Sequence, residues 1–134
     1  MTDFVADCSV TAAWFIEQSK YATDTLKLLS GCTAWVPCLW QYEFVNVLTQ
    51  AHKRKTITQA QVEGILDRVF LLPIKIDITP TFALRRIFEL ATKYALTSYD
   101  AAYLELCLRQ GLPLASLDSK LIAAATNSGV HIVR

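Results

Sequence analysis

Phe4-Val5-Ala6-Asp7-Cys8-Ser9-Val10 reads as a short buried strand that stops at a carboxylate and turns into something else. Similar short apolar runs recur along the chain. Ala34-Trp35-Val36 stops at Pro37, Ile74-Lys75-Ile76 stops near Asp77, Leu112 to Leu117 contains Pro113, and Val130 to Val133 closes the sequence. Between them lie longer segments with helical spacing. Trp40, Phe44, Val47, Leu48 and Ala51 share one helical face. Phe82, Ile87, Leu90 and Ala91 mark another, with Arg85, Glu89 and Lys93 as a charge ladder at i,i+4. Gly111 and Gly129 stand where a helix is expected to stop. Strands that alternate with helices build a parallel sheet covered on both faces, so the fold class is α/β. No linker, repeat or low-complexity segment divides the chain, and residues 1–134 read as a single domain.

The composition narrows the function classes. The chain has 134 residues, 53% of them hydrophobic and 19% charged, with a formal net charge of +1. Soluble domains carry about 25% charged residues, so this surface is sparsely charged. That pattern opposes disorder, and 13 Lys+Arg against 12 Asp+Glu oppose a strongly cationic coat. No apolar run approaches the roughly 18 residues of a membrane span. Asp3 and Asp7 interrupt the first apolar run, which argues against a signal peptide and for a cytoplasmic protein. Cys8, Cys32, Cys38 and Cys107 form no CxxC pair, and neither His52 nor His131 lies at a zinc spacing from them, so four free thiols are expected.

Ligands of open parallel sheets bind outside the carboxyl ends of the strands. After the first strand there is no glycine loop of the dinucleotide type, and no Walker A loop occurs anywhere. Acids take those places. Asp7 ends the first strand, Asp118 ends Leu114-Ala115-Ser116-Leu117, Glu43 follows the second strand on a helix, and Asp100 lies in the first turn of Ser98-Tyr99-Asp100-Ala101-Ala102-Tyr103. Each has a plainer role open to it. Asp7 and Asp118 are good N-caps, Asp100 stands three residues after Thr97 as in a capping box, and Glu43 could edge an amphipathic face. Glu105, by contrast, has Arg109 at i+4 and is expected as a solvated ion pair. Acids gathered without basic partners call for a cation, and oxygen-only ligation favours Mg2+ or Mn2+ over zinc. Such a site suits phosphodiester cleavage.

The blocks Phe4-Val5-Ala6-Asp7-Cys8-Ser9, Tyr42-Glu43-Phe44-Val45-Asn46-Val47-Leu48, Leu96-Thr97-Ser98-Tyr99-Asp100-Ala101-Ala102-Tyr103-Leu104 and Leu114-Ala115-Ser116-Leu117-Asp118-Ser119-Lys120-Leu121, in this order, resemble the PIN domain. Within it they are most similar to the VapC-type ribonuclease toxins of toxin–antitoxin systems. The resemblance implies a three-layer α/β/α sandwich around a parallel sheet of about five strands, and Mg2+-dependent endonucleolytic cleavage of RNA. It makes Asp7 and Asp100 the metal ligands and Glu43 and Asp118 the acids completing a catalytic set of four. Ser9 and Ser116 match positions where small hydroxyl residues stand beside the site. The acid usual just after the fourth position is missing, since Ser119 and Lys120 follow Asp118, which argues against a second tightly held metal.

RNA requires positive charge outside the pocket. Lys53, Arg54 and Lys55 are candidate RNA contacts, although charges at a helix C-terminus also serve its dipole. Trp14-Phe15-Ile16 and Tyr21 suit either the core or, as the resemblance implies, a groove for an antitoxin; homodimers are likewise implied. With the four acids drawn into a site, eight remain elsewhere against 13 basic residues, an excess of five. A catalytically silent PIN-like module that binds RNA or protein is the alternative.

Overall fold

The structure, a computed structural model, describes residues 2–134. In chain order it comprises β1 (Phe4–Ala6), α1 (Cys8–Ala13), α2 (Lys20–Lys27), β2 (Ala34–Pro37), α3 (Leu39–Lys53), α4 (Gln59–Leu71), β3 (Ile74–Asp77), α5 (Leu84–Tyr94), α6 (Ser98–Gln110), β4 (Leu114–Ala115) and α7 (Ser119–Asn127). The strands form one parallel sheet in the order β3-β2-β1-β4. β1 lies inside that sheet with Phe4, Val5 and Ala6 all essentially inaccessible, as an unbroken apolar strand of a doubly covered sheet must.

Alternation along β1 separates two cores. Phe4 and Ala6 pack with Val10, Trp14 and Ala22 of the α1–α2 layer, whereas Val5 faces Trp40, Phe44, Leu104 and Leu121 of the α3, α6 and α7 layer. Three layers result. Trp14 is fully buried and donates its indole N–H to Thr25 Oγ1 at 3.0 Å, so it serves the core. Across the layers, the Trp40 indole donates to Thr11 Oγ1 at 2.8 Å and fixes α3 against α1.

The expected fifth strand is reduced to a single bridge, Leu114 to Ile132. β4 offers only two residues, and Pro113 before it has no N–H to extend a ladder. The bridge is closed by Leu114 N–H on His131 O and Val133 N–H on Leu114 O. Gly111 ends α6 at φ 66° and Gly129 follows α7 at φ 84°, both in the left-handed region expected of them. All four cysteines are free thiols. No helix of the described residues is long and apolar enough to cross a membrane.

Three expectations need correction. Phe82 does not join the buried face of α5; it lies in a 3-10 turn, Thr81–Ala83, and is 78% exposed, because the helix starts only at Leu84. The Arg85–Glu89–Lys93 ladder is not closed by any ion pair among the described residues. Glu105 is not solvated. It is buried beneath α5, and Arg109 reaches from it (2.8 Å) to Asp77 at the end of β3 (2.6 Å). Sequence spacing finds the i,i+4 pair but not the third member, which arrives from another strand. Removing Arg109 leaves two carboxylates facing each other without a cation. Arg109→Met is therefore expected to destabilise the fold by about 3 kcal/mol in urea denaturation, and adding Asp77→Asn and Glu105→Gln should recover part of the loss.

Candidate active site

Asp7 is the centre of the carboxyl edge of the sheet. Its backbone N–H continues the β1–β4 ladder onto Ala115 O at 3.1 Å, and its side chain, 4% exposed, caps α1. One carboxylate oxygen accepts from Val10 N–H at 3.1 Å and Ser9 Oγ at 2.5 Å; the other accepts from Ser116 Oγ at 2.5 Å. The two hydroxyls are themselves acceptors. Ser9 Oγ takes the N–H of Leu117 at 3.0 Å, and Ser116 Oγ takes that of Asp118 at 2.9 Å. Two serines thus join the end of β1 to the turn after β4, and both donate to Asp7.

The remaining acids come from three helices. Asp118 caps α7, with one oxygen accepting from Lys120 and Leu121 N–H. Asp100 enters in the first turn of α6, where its own N–H donates to Thr97 Oγ1 at 3.1 Å, half of a capping box. Glu43 projects from α3 and accepts from Tyr103 Oη at 2.6 Å. Tyr103 is almost completely buried and stands one turn beyond Asp100, so α6 both supplies an acid and orients the acid of α3. In the sequence, the one sign of this role for Tyr103 is its i+3 spacing from Asp100.

Electrostatics ties the four together. Burial pushes Asp7 above the usual carboxylate range, against the pull of Ser116, Ser9 and Val10, and the charge of Asp118 pushes it further. Glu43 is raised by burial and by Asp100 and Asp7, with Tyr103 opposing. Asp100 is raised by burial and by Asp118, while Thr97 and Lys120 pull the other way. Burial, with Glu43 and Asp7 beside it, drives the Cys8 thiol up to about 12, so it stays protonated at neutral pH.

Among the described residues no three His, Cys, Asp or Glu side chains converge closely enough to grip an ion directly. Asp7 has already committed most of its lone pairs to the serines and Val10. The donor set is nonetheless all oxygen, like-charged and free of any ion pair with Lys or Arg among the described residues. It fits a hard divalent cation that keeps several waters and uses one or two carboxylates. Of the basic candidates, Lys53 lies ten residues beyond Glu43 on α3, about 15 Å along the axis, and Lys55 lies past the helix end. The acids are brought together; the basic residues stand apart from them.

A family model for the PIN domain matches residues 4–127. No curated protein sequence matches the chain. Among solved structures it is similar to VapBC2 of Rickettsia felis bound to a promoter DNA fragment, at 13% identity and TM-score 0.71, covering 99% of this chain and 98% of that one. It is similar to the sarcin–ricin-loop-cleaving toxin VapC20 of Mycobacterium tuberculosis, at 12% identity and TM-score 0.69, covering 98% and 99%. A toxin–antitoxin complex from Klebsiella pneumoniae resembles it at 19% identity and TM-score 0.67, covering 90% and 91%.

Raised carboxylate pKa values make the folded chain hold more protons than the unfolded chain just above the ordinary range near 4. The destabilisation by ionised Glu43 is therefore absent at low pH and develops as pH rises through its folded pKa. Glu43→Gln keeps an acceptor for Tyr103 and removes the charge. Its melting temperature, relative to wild type in chelator, is expected to be higher at pH 7 than at pH 4; an offset equal at both would contradict the assignment.

Proposed function

Because the chain belongs to the PIN-domain family, we propose that it is a divalent-metal-dependent endoribonuclease acting as a toxin of the VapC type. One observation carries this reading: four acids from separate elements meet at the carboxyl edge of the sheet with no basic side chain paired to any of them, and burial together with the charge of neighbouring acids raises the pKa of Asp7, Glu43 and Asp100. Structural ion-pair networks look different, as Arg109 with Asp77 and Glu105 demonstrates in the same molecule.

Asp7 and Asp100 are the residues that would hold Mg2+, with Mn2+ as a substitute. A divalent ion bound there supplies acidified water and charge neutralisation on phosphate oxygens. The chain's own groups supply the rest. Ser9 and Ser116 keep the Asp7 carboxylate in one orientation. Tyr103 aims Glu43, whose raised pKa suits it to accept a proton from the attacking water and to pass one on. Asp118 engages one oxygen in capping α7, and its other oxygen makes no hydrogen bond among the described residues. Acids close to an RNA backbone repel it unless neutralised, which is why cleavage depends on the cation.

The toxin reading brings partners. A cognate antitoxin would cover the site, supported by the similarity in fold to chains from VapBC2 and the Klebsiella toxin–antitoxin complex. A homodimer is supported by exposed apolar side chains around the edge strand β3 and the start of α5, where Ile78, Phe82 and Phe88 are 83%, 78% and 68% exposed. Cytoplasmic RNA is the proposed target.

Purified protein is expected to cleave single-stranded RNA with Mg2+ and to stop in EDTA. Asp100→Asn should slow cleavage by about a hundredfold or more, with a melting temperature at neutral pH no lower than wild type because the raised pKa of Asp100 makes its charge destabilising there. Ser116→Ala, which frees the Asp7 carboxylate and strands the Asp118 N–H, should cost about tenfold to a hundredfold. Cleavage by Asp100→Asn at the wild-type rate would refute the assignment. RNA binding by wild type without any metal-dependent cleavage would favour a silent binding module.

A further inference from the structure

Along α3, Tyr42, Asn46, Gln50 and Arg54 follow one another at intervals of four, and so form a single ridge. The ridge begins beside Glu43, where Tyr42 is 79% exposed, and ends at Arg54, which caps the helix. Its last three members line a groove of about 460 Å³ between α3 and α1. The end of the groove nearest the acids is formed by Ser9 and Leu117, the pair joined by a hydrogen bond directly over Asp7. The opposite wall, from Ala13 and Ile16, is apolar, and Glu17 is the one acid on the rim.

We propose that this groove is the track of an unpaired RNA segment adjoining the scissile phosphate, with the α3 ridge as its reader. The inference rests on the ribonuclease reading above. Four chemistries stand in order along the ridge, the last three of them in the groove: an exposed ring on which a base stacks, two amides that donate and accept with base edges or 2′-hydroxyls, and a guanidinium for a phosphate. The stacking ring requires an unpaired base, which makes the substrate segment single-stranded. A helix of a protein partner would instead seek apolar anchors; α3 lines the groove with Val47 and Ala51 too, but beside them it sets two amides and a guanidinium, a polar edge that suits a nucleic-acid strand. Of the three basic residues at the end of α3, Arg54 lines the groove while Lys53 and Lys55 do not, so the three are not equivalent.

The test uses near-isosteric charge changes at positions that bury little, so that folding survives. Asn46→Asp combined with Gln50→Glu lines the groove with carboxylates and should raise KM for a short single-stranded RNA by about tenfold or more, with kcat within about twofold and melting temperature unchanged. Tyr42→Leu should raise KM by about fivefold to tenfold for single-stranded RNA. Arg54→Ala should lower the slope of log affinity against log salt by about 0.7, measured by fluorescence anisotropy with labelled RNA on an Asp100→Asn background. Wild type that cleaves while every ridge variant keeps its KM would overturn the groove and leave the ribonuclease reading standing. Wild type that cleaves no RNA overturns the ribonuclease reading, and the groove with it. An unchanged KM with lost affinity for a protein partner would assign the groove to a peptide and overturn the proposal.

Discussion

The carboxylate of Asp7, buried where β1 ends, is the constraint on which the remainder of the site depends. An ionised group removed from water must be supplied with donors, and three reach it: the hydroxyls of Ser9 and Ser116 and the N–H of Val10. Each hydroxyl in turn accepts an N–H from the turn that follows β4. Satisfying one acid thereby brings together two loops separated by more than a hundred residues and places Asp118 beside Asp7. The capping and catalytic readings of Asp7 are not rivals, since the geometry that caps α1 is also what fixes the carboxylate in the cleft.

Tyr103 performs the parallel service for α3. Its hydroxyl aims Glu43, and the Trp40–Thr11 bond anchors the same helix to α1. Burial keeps the carboxylates protonation-prone, and their mutual repulsion adds to it. The molecule uses its buried guanidinium elsewhere, between Asp77 and Glu105, where a cation ties the end of β3 to α6. Two acidic sites with opposite solutions coexist: one neutralised by Arg109, one left uncompensated. The uncompensated one gathers around the end of the inner strand β1, at the carboxyl edge where an α/β sheet binds its ligands.

Much of this was legible in the residues. The acid-ended apolar run Phe4-Val5-Ala6-Asp7 gives the central strand because three consecutive apolar residues can be buried on both faces only inside a covered sheet. Asp100 and Asp118 stood out because they begin helices after short strands or turns. What stayed hidden depended on chain segments meeting from afar. Asp77 reaches Arg109 across 32 positions, Tyr103 reaches Glu43 across 60, and Phe82 left its helix because the helix began two residues later than the apolar period suggests.

Local sequence therefore determined the elements, the stops at glycine and the identity of the four acids, because these rest on periodicity, backbone freedom and the cost of burying charge. Only the tertiary structure decided which acids are paired and which are not, and that no three of them close on an ion directly. It alone decided that Asn46, Gln50 and Arg54 face a groove running from the acids. Those outcomes are set by distances between segments remote in sequence, and a hydrogen bond or repulsion between carboxylates changes within a few ångströms.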